Sequence, residues 1–378
     1  MTPKKTLFLQ AETDLIKAID VDDSVGRSVP INMNFVEEGF LIKDTGYIPF
    51  GVTPSIEAHS LFYYKKKSGV AFLIQIVGTK IQQYSMVDKQ WYDILGAPVF
   101  TAGAYMGYKV YNDILYLSNA VDSLYSFNGT TFTEFATAPK GNILEVYLDR
   151  LFITGVILEP LSLYYSDIAL PTTFQVTSVL KPLGTDSIVS LVNYYGFLLI
   201  FKTSSIWKMS FQEVATVLVP VLEIQSANYG ACSRKAACWV ENDIWFFTGT
   251  EVRSIGYKNQ QIGVLGVNSS ILSNSIKQTL SSIPVANYGK ITTFYENRRY
   301  YLAIPLITTT NDTVFVCHTL YENSWTKYSS RDKARLGDSV IVDSVIYTAN
   351  QSSPYGIIKW NITSADINNQ NSYFVTES

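Results

Sequence analysis

Apolar and polar positions change places in short bursts along this chain. Leu148-Asp-Arg-Leu-Phe-Ile-Thr154, Leu161-Ser-Leu-Tyr-Tyr-Ser-Asp167, Ser187-Ile-Val-Ser-Leu-Val-Asn193, Gly196-Phe-Leu-Leu-Ile-Phe201 and Ser205-Ile-Trp-Lys-Met209 set the cadence. The apolar runs are rich in β-branched and aromatic side chains, and Gly, Pro, Asn, Asp or Ser bounds each one. Runs of about four to eight residues are strand length and too short for a helix. The pattern predicts strands joined by tight turns.

The cadence repeats. A turn-forming Asn, Asp or Gly precedes an apolar strand at Asn112, Asp149, Gly196, Asn242, Asn297 and Asp343, at spacings of 37, 47, 46, 55 and 46 residues. Such a residue tolerates φ > 0 in a turn that feeds a buried strand. A second landmark places an aromatic residue after a polar turn, at Trp91, Phe132 and Trp325, as at the outer strand of a blade.

A period near 45 residues with about four strands per unit is the signature of a β-propeller, whose units stack radially because none can cover both of its faces alone. The predicted fold is therefore all-β: a β-propeller with an N-terminal arm. Seven blades are expected, at roughly 55–95, 97–136, 142–178, 185–226, 233–266, 287–330 and 334–377. Six or eight are the alternatives, because Leu265 to Ser282 and the C-terminal end read poorly. Residues 1–54 form the arm and a blade-closing segment, and 55–378 the propeller. The closing strand comes from Tyr373-Phe-Val375 or from the segment near Ile48. Leu265 to Ser282 is expected as a loop or one short helix outside the blades.

Composition narrows the function classes. A hydrophobic content of 47% supports a large core, while only 16% of residues are charged. The 26 tyrosines suit broad sheets and protein contacts, since each joins apolar area to a hydroxyl. The net charge of −3 does not fit a broad nucleic-acid footprint. The dense basic run, Lys65-Lys-Lys67, falls where a hairpin tip is expected, and Asp20, Asp22 and Asp23 read as a solvated turn without the remainder of a calcium loop. Three cysteines, Cys232, Cys238 and Cys317, have neither a disulfide framework's count nor a zinc site's spacing. The N-terminus predicts no signal peptide and the chain no membrane insertion, so synthesis in a reducing cytoplasm is expected.

No catalytic, cofactor-binding or metal-binding constellation emerges. The two histidines, His59 and His318, are far apart in sequence, and His318 sits in an apolar strand. Asp149, Asp167, Asp186 and Asp243 are the carboxylates from which a glycosidase pair would have to be drawn, but turn chemistry accounts for each first. The Ser-x-Asp-x-Gly-x-x-Trp turns of sialidases are missing, and Arg298-Arg299 reads as a hairpin tip. Asn-x-Ser/Thr triplets at Asn128, Asn268, Asn311, Asn350 and Asn361 are read as turns. The chain is expected not to be an enzyme.

Several stretches together resemble a known family. Leu163-Tyr-Tyr-Ser-Asp167 with Pro171-Thr-Thr-Phe174 resembles a Tyr-Ser-x-x-x-x-Pro-x-x-Phe element of bacteriophage virion propellers. Ser187–Leu191 through Phe201-Lys-Thr-Ser-Ser-Ile-Trp207, and Ala236 to Ser254, look like the elements that follow it. Arg27 to Asn34 and Gly46 to Gly51 look like a diverged Asn-x-Tyr…Pro-Gly opening, in which Met33-Asn34 replaces the usual Tyr and Tyr47-Ile48 breaks the Pro-Gly step. The family is the tail-hub and packaged-DNA stabilisation propellers of short-tailed phages, with related nozzle proteins, and the resemblance covers about residues 27 to 260.

It implies a virion structural protein that forms a homo-oligomeric ring below the portal and adaptor, carries the distal tail proteins and helps retain packaged DNA without binding it specifically. The other reading is a receptor- or glycan-binding propeller on a tail fibre or capsid, with Trp91 or Trp325 stacking on sugars. Contact loops are expected at Lys65–Lys67, Val156–Pro160 and Leu265–Ser282, and on the N-terminal arm.

Overall fold

The computed structural model describes residues 28–31, 33–35, 41–43, 47–52 and 54–360, apart from 260–263, 269, 306–311, 320–324, 329–335 and 352–354, together with 373–376. The arm proper (1–27), the Asp20–Asp22–Asp23 cluster, and the triplets at Asn311 and Asn361 lie outside the described residues.

Each predicted burst becomes a strand, and the strands assemble into seven blades. The innermost strands are Ala58–Lys65, Gly107–Tyr111, Ile143–Tyr147, Ile188–Tyr194, Ala237–Val240, Thr292–Glu296 and Leu336–Val342. Within a blade, consecutive strands pair antiparallel outward from the axis; in blade 3, for example, Ile143 pairs with Thr154 and Tyr147 with Arg150. The sequence landmarks are the turns between the first two strands of a blade. Asn112 and Asp113 have φ of 46° and 61°, Leu148 and Asp149 have 44° and 54°, and Asn297 and Arg298 have 51° and 60°. Two successive positive φ values make the tight turn whose twist matches the flanking strands, which is why Asn, Asp and Gly mark it.

A continuous series of apolar clusters closes the ring. Phe62, Ile74, Leu115 and Phe127 join blades 1 and 2; Tyr116, Leu144 and Leu151 join 2 and 3; Phe152, Leu191 and Trp207 join 3 and 4. Phe201, Phe246, Leu302 and their neighbours link blades 4, 5 and 6, Tyr301 and Trp360 join 6 and 7, and Leu61 and Val340 join 7 back to 1. Each such side chain contributes about 1.5–3 kcal/mol by leaving water. Phe201 and Phe246, 5.5 Å apart, show the tilted aromatic contact typical of these joints.

The outer strand of blade 7 comes from the other end of the chain. Tyr47–Phe50 pairs antiparallel with Gly356–Trp360, in a register that sets Tyr47 opposite Trp360 and Phe50 opposite Ile357. The segment near Ile48 thus fastens the circle. Tyr373–Thr376, the other segment proposed for this role, instead pairs with Ser28–Ile31 and widens blade 6 beyond Trp325–Tyr328. Blade 7 ends at Trp360 rather than near residue 377.

Leu265–Ser282 corrects a second expectation. Its first part is the outermost strand of blade 5, Val264–Val267. Two short 3-10 turns, Asn274–Ile276 and Val285–Lys290, and one turn of α-helix, Lys277–Ser281, lead on to blade 6. Leu272, Ile276, Leu280 and Ile283 are buried in the core of blades 4 to 6, so one side of this connection packs inward, while Asn274, Lys277, Gln278, Ser281 and Ser282 remain exposed on the other. Its polar letters concealed apolar side chains spaced three or four apart, which is helical spacing.

Candidate functional site

The propeller has two faces. On one, the innermost strands begin; on the other they end, at the tight turns described above. Around blades 3 to 5 the second face carries an unusual surface. The third and fourth strands of blade 4, Ile206–Val214 and Val217–Ser226, are 9 and 10 residues long, whereas those of blade 2 have 4 each. Their hairpin reaches past its neighbours. Val214, Val217 and Leu218 at its tip are 58%, 61% and 48% exposed. Val217–Ser226 is also the outer edge of its sheet, so one row of its backbone groups has no strand partner.

Blade 3 continues this apolar surface. Leu148, Ile168, Leu170 and Val176 are exposed in its turns on the same face. Arg150 fixes the two blades together there, its guanidinium lying 5.2 Å from the Phe211 ring of the hairpin and 5.7 Å from the Tyr165 ring. On the side of blade 5, Tyr195 and Trp239 meet edge to face at 5.1 Å and remain partly exposed. The Trp239 indole N–H donates to the Asn193 carbonyl at 3.1 Å, which holds the ring upright. Single exposed apolar residues are ordinary, but exposed apolar side chains on three neighbouring blades of one face make that face the candidate interaction surface.

The residues named from the sequence are placed differently. Trp325 is fully buried, and its indole N–H donates to the Leu272 carbonyl at 2.8 Å, so it cannot stack on a sugar. Trp91 packs edge to face on Tyr84 at 5.1 Å between blades 1 and 7. Lys65–Lys67 does form a hairpin end, and Ile157 and Leu158 are exposed between Val156 and Pro160. The patch on the second face escaped the sequence because its hydrophobic letters are those of any strand. The one available sign was the absence of a turn residue between Phe211 and Pro220.

The four carboxylates each have local work. Asp149 and Asp167 cap turns of blade 3, accepting from the Tyr111 hydroxyl at 3.3 Å and the Gln175 amide at 2.7 Å. Burial favours the neutral form of Asp186, but hydrogen bonds from Lys202, Ser204 and Ser205 outweigh it and hold the carboxyl at about 2. Burial raises Asp243, which lies against Gly256 of the adjoining strand. Burial likewise pushes the Cys238 thiol up to about 12, far from a nucleophile's range. Among the described residues no group of three or more His, Cys, Asp or Glu side chains is placed to hold a metal ion, and no helix is long and apolar enough to cross a membrane.

A second polar assembly lies at the axis, on the first face. Arg234, from the segment entering blade 5, crosses to blades 2 and 7. It donates to the Met106 carbonyl at 3.3 Å and to Asp338 at 2.8 Å, with its guanidinium 4.5 Å from the Tyr105 ring. Lys235 reaches the same Asp338 oxygen at 3.1 Å. His59 is buried beside them, its pKa lowered by burial against the opposing pull of Asp338.

These features define a seven-bladed β-propeller. No family model and no curated protein matches the sequence. Solved structures share the fold. The β-propeller domain of Cps50 (Swd1) from Myceliophteria thermophila is similar with a TM-score of 0.55 at 8% identity, over 84% of this chain and 100% of that one. YCF48 from Cyanidioschyzon merolae gives 0.53 at 10% identity, over 83% and 98%, and YCF48 bound to D1 peptide gives 0.52 at 9% identity, over 84% and 96%. At such identities the likeness is one of architecture alone.

Proposed function

We propose that this propeller is a non-catalytic assembly protein of a phage virion, a tail hub, connector or nozzle component that docks on copies of itself through its second face. The observation that carries the reading is the apolar patch of blades 3 to 5 with the projecting Ile206–Ser226 hairpin at its centre. A closed ring of blades is a rigid support, and an unpaired strand edge at its rim offers backbone hydrogen bonds to a neighbour. The sequence resemblance to tail-hub and packaged-DNA stabilisation propellers supplies the setting, with the portal and adaptor above and the distal tail proteins below. A net charge of −3 suits proximity to packaged DNA without adhesion to phosphate.

The test is the assembly state. Wild-type protein is expected to sediment as a closed oligomer, each interface burying more than about 1,000 Å². Val214→Glu with Val217→Glu should yield monomers that keep the wild-type circular-dichroism spectrum and still unfold cooperatively, at a melting temperature lowered only by the lost association. A wild-type monomer at all concentrations, or an oligomer indifferent to both changes, overturns docking through this patch. Gold-labelled antibody on intact virions separates the settings: label at the head–tail junction or tail supports the connector reading, and label at fibre tips or over the capsid removes it.

One observation favours carbohydrate recognition as a second reading. The exposed Tyr195–Trp239 pair presents aromatic faces of the kind that pack on sugar rings. Saturable binding on a glycan array, lost in Trp239→Ala with the fold intact, would select it.

A further inference from the structure

A chamber of about 450 Å³ lies on the propeller axis, lined from five of the seven innermost strands or the residues just before them. Lys109, Arg234 and Lys235 bring three positive charges to it, and Glu145 is the carboxylate in its wall. Asp338 stands behind Arg234 and Lys235 and is shared between them, at 2.8 and 3.1 Å through one oxygen. Lys109 pairs with Glu145 at 2.7 Å. Three cations and two carboxylates leave one positive charge without a protein counter-charge.

We propose that this axial chamber is a binding site for a small oxyanion of the carboxylate or phosphate class. The site is built in advance. The Ser190 hydroxyl donates to the Arg234 carbonyl at 3.2 Å, and the Thr293 hydroxyl to the Lys235 carbonyl at 2.8 Å. These bonds, from blades 4 and 6, fix the backbone from which both cations extend. Arg234 directs one N–H to Asp338 and one to the Met106 carbonyl, and further donor capacity comes from Lys109 and Lys235. Their side chains keep 38% and 25% of their surface exposed, and both line the chamber. An ammonium has three donors, and each of these two has a carboxylate partner that uses only part of them.

Electrostatics agrees with the geometry. A partly buried charge in excess is costly until it is neutralised. Burial lowers the Lys235 pKa, with Arg234 and Lys109 adding to the effect and Asp338 opposing it. A bound anion offsets that repulsion and favours the charged form of Lys235. Pre-arranged donors lose little freedom on binding, which favours affinity for a ligand with few atoms.

The experiment titrates the full-length protein calorimetrically with inorganic phosphate and with acetate, using sodium chloride at matched ionic strength as the control. Saturable one-site binding of either probe is expected, with a melting temperature that rises with its concentration as linkage requires. Lys235→Met should weaken binding at least about tenfold. Glu145→Gln, which raises the excess charge by one, should strengthen it severalfold and decides the matter if Lys235→Met does not fold. The proposal is overturned if neither probe saturates, if chloride gives the same rise, or if Glu145→Gln leaves the affinity unchanged or lowers it.

Discussion

The Tyr194 hydroxyl donates to the Asn242 carbonyl at 2.7 Å, tying the end of the innermost strand of blade 4 to the first turn of blade 5. The same join recurs one blade earlier, where the Tyr147 hydroxyl donates to the Gly196 carbonyl at 2.7 Å. Tyr111 reaches the Asp149 carboxylate at 3.3 Å, and Tyr64 the Asp113 carbonyl. Four successive blades thus hook the next one by the very turn whose φ > 0 residues repeat along the sequence. The rings of Tyr64, Tyr147 and Tyr194 are buried between blades while their hydroxyls reach the face.

Tyr194→Phe keeps the ring and removes the donor, leaving the Asn242 carbonyl without that bond. A net loss of about 1 kcal/mol is expected, and about 2 kcal/mol in the Tyr147→Phe, Tyr194→Phe double variant if the two sites act independently. Urea denaturation measures both. Unchanged midpoints would mean that the hydroxyls are fully replaced by water and that packing alone holds the blades.

Two glycines separate steric from conformational demand. A Cβ on Gly230 would fall 2.1 Å from the Lys202 carbonyl oxygen and 2.7 Å from the Ser204 nitrogen, both backbone atoms that cannot move aside. Gly196 has open space around it but a φ of +84°. Gly230→Ala should therefore cost more than about 2 kcal/mol, because blade 5 enters against the turn of blade 4. Gly196→Ala should cost about 1 kcal/mol, the price of a left-handed backbone for an L-residue. Equal losses would show that Gly230 is held loosely.

The ring was legible in the sequence because its chemistry is local. A two-residue turn with φ > 0 favours Asn, Asp or Gly in at least one position, and Asn112, Asp149 and Asn297 advertise it. Burial of the following strand shows as an unbroken apolar run, as in Asp243–Phe247. What the sequence hid depends on partners distant in the chain. Arg234 meets Met106 across 128 positions and Asp338 across 104, and no spacing rule reaches that far. Tyr47–Phe50 could be named as a closing strand but not chosen over Tyr373–Val375, since both are short apolar segments and the register that decides between them exists only in three dimensions.

The projecting hairpin turns on Ala215 and Thr216, with φ of 48° and 72°, a geometry that neither residue favours. Replacing the pair by Asn-Gly should stabilise the protein by about 0.5–1 kcal/mol, since these residues take such angles readily. The test is the melting temperature of the double variant, with assembly measured in parallel. A fall in stability would indicate that the Thr216 side chain makes a contact worth more than the turn strain.

Blade 4 also holds the most enclosed charge of the described residues. Lys202 is fully buried, 2.9 Å from Asp186, and also donates to the Leu183 carbonyl at 2.9 Å in the segment linking blades 3 and 4. Removing one partner of such a pair strands the other, so Lys202→Met should cost about 3–5 kcal/mol. The pair also sets a pH dependence. The Asp186 carboxyl is depressed from 3.8 to about 2 in the folded protein. A depressed acid stabilises the fold above its unfolded value, so the contribution is complete above about pH 4 and is lost as pH falls from there toward 2. Denaturant titrations at pH 5 and pH 3 should show wild-type protein losing stability over this interval and Asp186→Asn losing less. Parallel losses in the two proteins would mean that other carboxylates carry the acid sensitivity and that Asp186 titrates alike in the folded and unfolded chains.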